Sequence, residues 1–238
     1  MGTLGTGLGQ FKNPKGVAAH YSTGNIFVVD TGNDRIQKYT RVSGPITTWP
    51  ISFWGSSGSG DEQFSQPWAI AVDPSSSKVY VSDKGNNRIL KFTASGKFIL
   101  KFVGIWSIGM AIDSYGNVYA SVSYKHKIYK LTSDLETISV WGHQGTANGE
   151  FRNPHGIAVD TNNEVYIADT GNFRIQKFSK EGNHITSWGN VSGSGKFRIP
   201  YGIAFDGSTN SVHVSDNSLG NIQSFTQNGG FIQRISLN

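Results

Sequence analysis

The chain has no cysteine, which excludes disulfides and thiolate metal sites. The same lack is common in cytosolic proteins and in many exported prokaryotic ones, so the compartment stays open. No apolar run approaches the ~18 residues that would cross a bilayer as a helix, and membrane insertion is not expected. The opening Met1-Gly2-Thr3-Leu4-Gly5 does not read as a secretory signal. A chain cut from a longer protein, or one whose leader had been removed, would begin in the same way. Charge is sparse, at 16% of residues against 37% hydrophobic, too apolar a balance for a disordered chain. It is also one-sided: 21 Lys and Arg against 16 Asp and Glu leave a net charge of +5. That permits a polyanionic partner without requiring one. Glycine, in contrast, is abundant at 30 residues, and aromatics reach 12%. Such a mixture suits many short strands joined by turns rather than helices.

Two motifs recur in alternation. The first is Phe151-Arg152-Asn153-Pro154-His155-Gly156-Ile157-Ala158-Val159-Asp160, with counterparts beginning at Phe11, Phe64 and Phe197 and a degraded copy over Ser107–Asp113. Aligned on Gly156, the corresponding residues are Gly16, Ala69, Gly109, Gly156 and Gly202, separated by 53, 40, 47 and 46 residues. The second motif is Tyr166-Ile167-Ala168-Asp169-Thr170-Gly171-Asn172-Phe173-Arg174-Ile175-Gln176-Lys177-Phe178, repeated from Phe27 and Tyr80 and eroded from Tyr119 and His213. Gly-Ile-Ala-Val-Asp is an apolar run suited to a strand packed on both faces. The two arms of the second motif alternate apolar and polar residues, as half-buried strands do, around an Asp-Thr-Gly-Asn turn. A fourth strand, such as Ile185-Thr186-Ser187-Trp188-Gly189, ends each repeat. Four antiparallel strands in ~40–45 residues make one propeller blade.

These paired motifs resemble the NHL repeat, and the resemblance covers essentially the whole chain. It implies an all-β propeller, most often of six blades; here there are five repeats, over about 5–54, 55–103, 104–142, 143–189 and 190–238. The expectation is one domain, residues 1–238, of five four-stranded blades closing as a monomeric ring. The alternative is five blades of a six-bladed ring. NHL propellers act as protein-interaction domains; in some cytoplasmic regulators they bind single-stranded RNA, and in some bacterial receptor kinases they form the extracellular sensor. Related propellers include an amidating lyase and lactonase-like hydrolases that carry metal ligands around the channel.

Features repeated in nearly every blade are expected to be structural. Asp30, Asp83, Asp169 and Asp216 end the second strand, and Arg35, Arg88 and Arg174 begin the third; repeat three has Val122 and Lys127 instead, and repeat five has Asn221 for the Arg. A single catalytic site does not need four copies of its acid. Trp54, Trp141 and Trp188, with Phe11, Phe64, Phe151 and Phe197, are expected to pack between blades.

Function is sought where the repeats disagree. The residue before the aligned Gly is Lys15, Trp68, Ile108, His155 or Tyr201; the one after the Phe is Lys12, Ser65, Arg152 or Arg198. The turn position is Asp34, Asn87, His126, Phe173 or Gly220. Since strand direction alternates, both loop types should lie on one face. That face would combine Lys12, Lys15, Lys84, Tyr124, Lys125, His126, Arg152 and Arg198 with Trp68, His155, Phe173 and Tyr201, interrupted by Asp34, Asp61 and Glu62. Basic groups among aromatics can hold an acidic peptide, an acidic glycan, or the phosphates and bases of RNA. A protein or peptide is the expected partner, with single-stranded RNA as the alternative and no cofactor. A zinc-dependent lyase or lactonase would need at least three converging His or carboxylate ligands. Of His20, His126, His143, His155, His184 and His213, only His155 falls at the predicted channel mouth.

Overall fold

A computed structural model describes residues 2–43, 51–189 and 195–236. The chain is all-β, and its strands form five four-stranded antiparallel sheets of propeller-blade type, one per repeat. They fall into two compact units, Met1–Ser107 and Ile108–Asn238.

Besides a two-stranded parallel sheet of Thr3–Leu4 and Gln10–Phe11, the first unit holds two four-stranded sheets. One contains Val17–Ala19, Ile26–Asp30, Arg35–Tyr39 and Ile51–Trp54, and the other Pro67–Val72, Val79–Asp83, Arg88–Phe92 and Phe98–Val103. Between them lies an apolar core of Phe27, Val29 and Ile36 against Phe64, Ile70, Val81, Leu90 and Phe92, with Trp54 packed on its margin. The Phe92 ring sits 6.0 Å from Trp54, 5.7 Å from Phe64 and 6.2 Å from Phe98.

The second unit holds three sheets: Gly109–Ile112, Val118–Val122, Lys127–Leu131 and Thr137–Trp141; Pro154–Val159, Val165–Asp169, Arg174–Phe178 and His184–Trp188; and Pro200–Asp206, Ser211–Asp216, Asn221–Thr226 and Phe231–Ser236. Phe151 and Phe178 occupy one inter-sheet core, with Trp141 beside it, and Trp188, Phe197 and Phe225 occupy the other. The repeating Trp and Phe positions are thus used for packing.

The burial expected of the individual strands needs correction. The alternating second and third strands are not half-buried: Val79–Asp83, Arg88–Phe92, Val165–Asp169 and Arg174–Phe178 are buried at every residue, whereas the apolar first strand Pro154–Val159 is only partly so. The polar side chains of the middle strands have partners inside the fold, so they need no water. Gln176 donates to Asp169 at 3.0 Å and to the Glu150 carbonyl at 2.7 Å, and Lys177 pairs with Glu164 at 2.5 Å.

Candidate functional site

In four of the five blades the loop that leads in is held by the buried acid at the end of the second strand. Asp169 accepts from Arg174 Nε at 2.8 Å, Asn172 Nδ2 at 2.9 Å and the Arg152 backbone N–H at 2.7 Å. Arg174 Nη2 then donates to the carbonyls of both Ala147, at 2.7 Å, and Glu150, at 3.0 Å. Asp30 with Arg35, and Asp83 with Arg88, repeat the arrangement at 2.7 and 2.9 Å. Burial pushes the Asp83 carboxyl above its ordinary value, and hydrogen bonds from Asn86, Ser65 and Arg88 offset only part of that. The pair is therefore a specifying brace more than a net source of stability.

The same loop is tied to the turn between the second and third strands. Gly32 donates to the Lys12 carbonyl, Gly85 to Ser65 and Gly171 to Arg152, each at 2.7 Å. A Cβ on Gly171 would lie 2.7 Å from the Arg152 carbonyl, so this close approach accounts for the glycine of the Asp-Thr-Gly-Asn turn. Leading loop and turn thus share one end of each of these sheets. They present Lys12, Lys15 and Arg152 exposed to solvent, and Arg198 is exposed on the fifth leading loop, which Asn217 ties at the Ile199 carbonyl at 3.0 Å.

The variable side chains gather into local clusters. In the first unit Lys15 Nζ lies over the Trp68 ring at 4.9 Å, and Lys84 Nζ over Trp68 at 4.4 Å and Trp106 at 4.8 Å. In the second, the His155 and Tyr201 rings meet edge-to-face at 4.5 Å. There too Lys125 Nζ stands 5.6 Å from the Tyr124 ring and 6.0 Å from Tyr129. Trp106 was not legible as a site residue because it precedes the one repeat without a Phe-x-x-Pro lead; its only signal was an aromatic residue three positions before Gly109. Among the described residues no acidic side chain pairs with Arg152 or Arg198.

Two predicted face residues have a structural use or cost. His126 takes the left-handed turn position, and its Nδ1 accepts the Asn153 N–H at 3.0 Å, as Asp34 accepts from Gln66 at 2.8 Å. Phe173 occupies the same position with φ 58° and 51% exposure. Asp and Asn tolerate that backbone region; a bulky aromatic residue is strained in it. Phe173→Asn is therefore expected to raise stability by about 0.5–1 kcal/mol while weakening any ligand that the ring contacts, a trade-off readable by urea unfolding and binding on the same variant.

His155 supplies a pH prediction. Burial pushes its imidazole below the ordinary value of 6.5, and Nδ1 is buried without a hydrogen-bond partner. Because the unfolded state takes up the proton first, the group's contribution is present above that value and is lost as pH falls below it. The urea midpoint should drop more between pH 7.5 and 5.5 for the parent than for His155→Gln; equal drops would contradict the assignment.

His20 is not poised as a base toward its serine neighbour. His20 Nε2 lies 2.9 Å from Ser77 Oγ, but the Thr23 N–H donates to His20 Nδ1 at 3.2 Å. In the neutral ring this leaves the proton on Nε2, which donates to Ser77 and cannot take its proton. Among the described residues no three His, Asp or Glu side chains converge as a metal site requires.

The NHL repeat is matched at residues 11–39, 64–92 and 151–178. The chain belongs to the NHL-repeat family. The three matched NHL repeats are the ones that keep the Asp–Arg brace. Peptidyl-glycine alpha-amidating monooxygenase A of Xenopus laevis is 33% identical over 178 residues, which is 70% of this chain and 17% of that protein. The chain thus spans about a sixth of the length of that relative. A streptogramin B lyase structure superposes with TM-score 0.73 at 14% identity, covering 94% of this chain and 68% of the other. A chain of a nidogen/laminin complex also gives 0.73 at 14% identity, over 95% and 81%. At such identities these structural likenesses show the fold alone.

Proposed function

We propose that the chain is a non-enzymatic binding scaffold whose NHL repeats present leading loops and turns to a protein or peptide partner. The observation that carries this reading is the contrast between a backbone clamped by the Asp–Arg brace in three blades and the divergent, exposed or half-buried cations and aromatics mounted on the loops. Preorganised loops cost little entropy on binding, and rigid aromatic side chains with a few cations are the usual anchors of interfaces. A peptide partner is in keeping with the relative whose name includes peptidyl-glycine.

The test is retention of a random peptide library and of a single-stranded RNA pool by the same immobilised chain, at low and at physiological salt. Enriched peptides that persist at the higher salt are expected. Tight RNA binding that collapses with salt would overturn the reading, since phosphate contacts release counterions.

Likeness to a lyase and to an amidating monooxygenase keeps a catalytic reading in view. The described residues do not fit a resident metal. The purified chain is expected to carry far less than one zinc per molecule by elemental analysis; stoichiometric zinc, lost with His155→Ala, would revive that reading.

A further inference from the structure

The side chains around Trp68 narrow the partner's chemistry, an inference that rests on the peptide-binding reading above. Four separate stretches of one unit meet there: Lys15 from the first leading loop, Trp68 from the start of strand Pro67–Val72, Lys84 from the second turn, and Trp106 near the end of the unit. Both ammonium groups stand over a single indole, at 4.9 and 4.4 Å from its centre, and Lys84 stands over a second at 4.8 Å. Cation–π attraction of this kind is worth about 0.5–2 kcal/mol and restrains both ammonium groups at one ring. No acidic side chain pairs with either lysine among the described residues. The neighbouring acids are engaged elsewhere: Asp30 and Asp83 are buried against Arg35 and Arg88, and Asp34 accepts from the Gln66 N–H.

This is a pair of restrained positive charges with an apolar wall and no counter-charge. With ammonium groups at 4.9 and 4.4 Å from its centre, the Trp68 ring is poorly placed to stack a base or a sugar ring. Their effect is to position the charges and exclude part of their water, which strengthens a charge-assisted hydrogen bond. We propose that Lys15, Trp68, Lys84 and Trp106 form a carboxylate-binding subsite and that the partner is a peptide segment bearing Asp or Glu. The two ammonium groups donate to carboxylate oxygens, and the indoles pack against the methylenes beside them.

The experiment selects a random peptide library on the whole chain and on K15Q/K84Q in parallel, then measures the selected peptides and their Glu→Gln counterparts by fluorescence anisotropy. Acidic peptides are expected, with Kd rising at least tenfold for K15Q/K84Q and for the Glu→Gln peptides, the two losses not adding. K15R/K84R should retain most of the affinity. Peptides without acidic residues, or acidic ones bound equally by K15Q/K84Q, would overturn the subsite while leaving peptide binding standing. No enriched peptide from the parent chain would overturn both. An oligouridylate or oligogalacturonate that outbinds the acidic peptide through the same lysines would replace the peptide with that polymer. Equal thermal midpoints certify the fold of the variant, and K15Q and K84Q singly carry the comparison if the double variant unfolds.

Discussion

Asp169→Ala is expected to lower unfolding free energy by about 3–5 kcal/mol, a large part of the ~5–15 kcal/mol typical of a folded domain. The carboxylate is fully buried and accepts from Arg174, Asn172, Gln176 and the Arg152 backbone. Its removal strands the Arg174 guanidinium without a counter-charge and frees the leading loop from the turn. Asp216→Ala supplies the internal comparison. Asp216 accepts backbone N–H groups from Arg198, Ile199, Ser218 and Leu219, but Asn221 stands where the arginine would be. Its loss leaves unsatisfied donors and no orphaned charge, so about 1–3 kcal/mol is expected. Urea unfolding of both variants decides the point; equal losses would mean that the charge pair is not what makes Asp169 costly.

Phe92→Ala is expected to cost a further amount of similar size, about 3–5 kcal/mol, through a different mechanism. Its ring is fully buried and touches Trp54 of the first sheet, Phe64 of the leading loop and Phe98 of its own fourth strand. Three aromatic neighbours cannot all collapse into the space it leaves, so both transfer and cavity terms apply. Tyr21→Ala, at a residue 92% exposed, should change stability by no more than about 0.5 kcal/mol. A small loss at Phe92 would mean that the two sheets are packed more loosely than the ring distances imply.

The repeat made most of the fold legible. The Gly-Ile-Ala-Val-Asp run, the Asp-Thr-Gly-Asn turn and the Trp-Gly strand end recur, and each recurrence marked an element that the structure contains. The period-two pattern of Arg174-Ile175-Gln176-Lys177-Phe178 misled about burial, since Gln176 and Lys177 look solvent-facing until Asp169, Glu150 and Glu164 are seen to satisfy them. Pattern reports side-chain polarity, whereas burial depends on partners that lie far away in the chain. The candidate site was legible only in part for the same reason. Lys15 and Trp68 stood out by disagreeing with their counterparts, but Trp106 lies in a repeat whose lead has eroded, and no alignment of repeats brings it to Lys84. His126 looked variable and available, yet its ring replaces the Asp34 carboxylate as an acceptor for the next leading loop.

The most direct test of the central claim is amide chemical-shift mapping of the whole chain titrated with a peptide selected from the random library. Perturbations should concentrate in the leading loops and the second-to-third turns, around Lys12–Gly16, Gln66–Ala69, Lys84–Asn87, Arg152–Gly156 or Arg198–Gly202. Shifts concentrated instead on the fourth strands, such as Phe98–Val103 or Phe231–Ser236, would place the partner on a different surface and contradict the account.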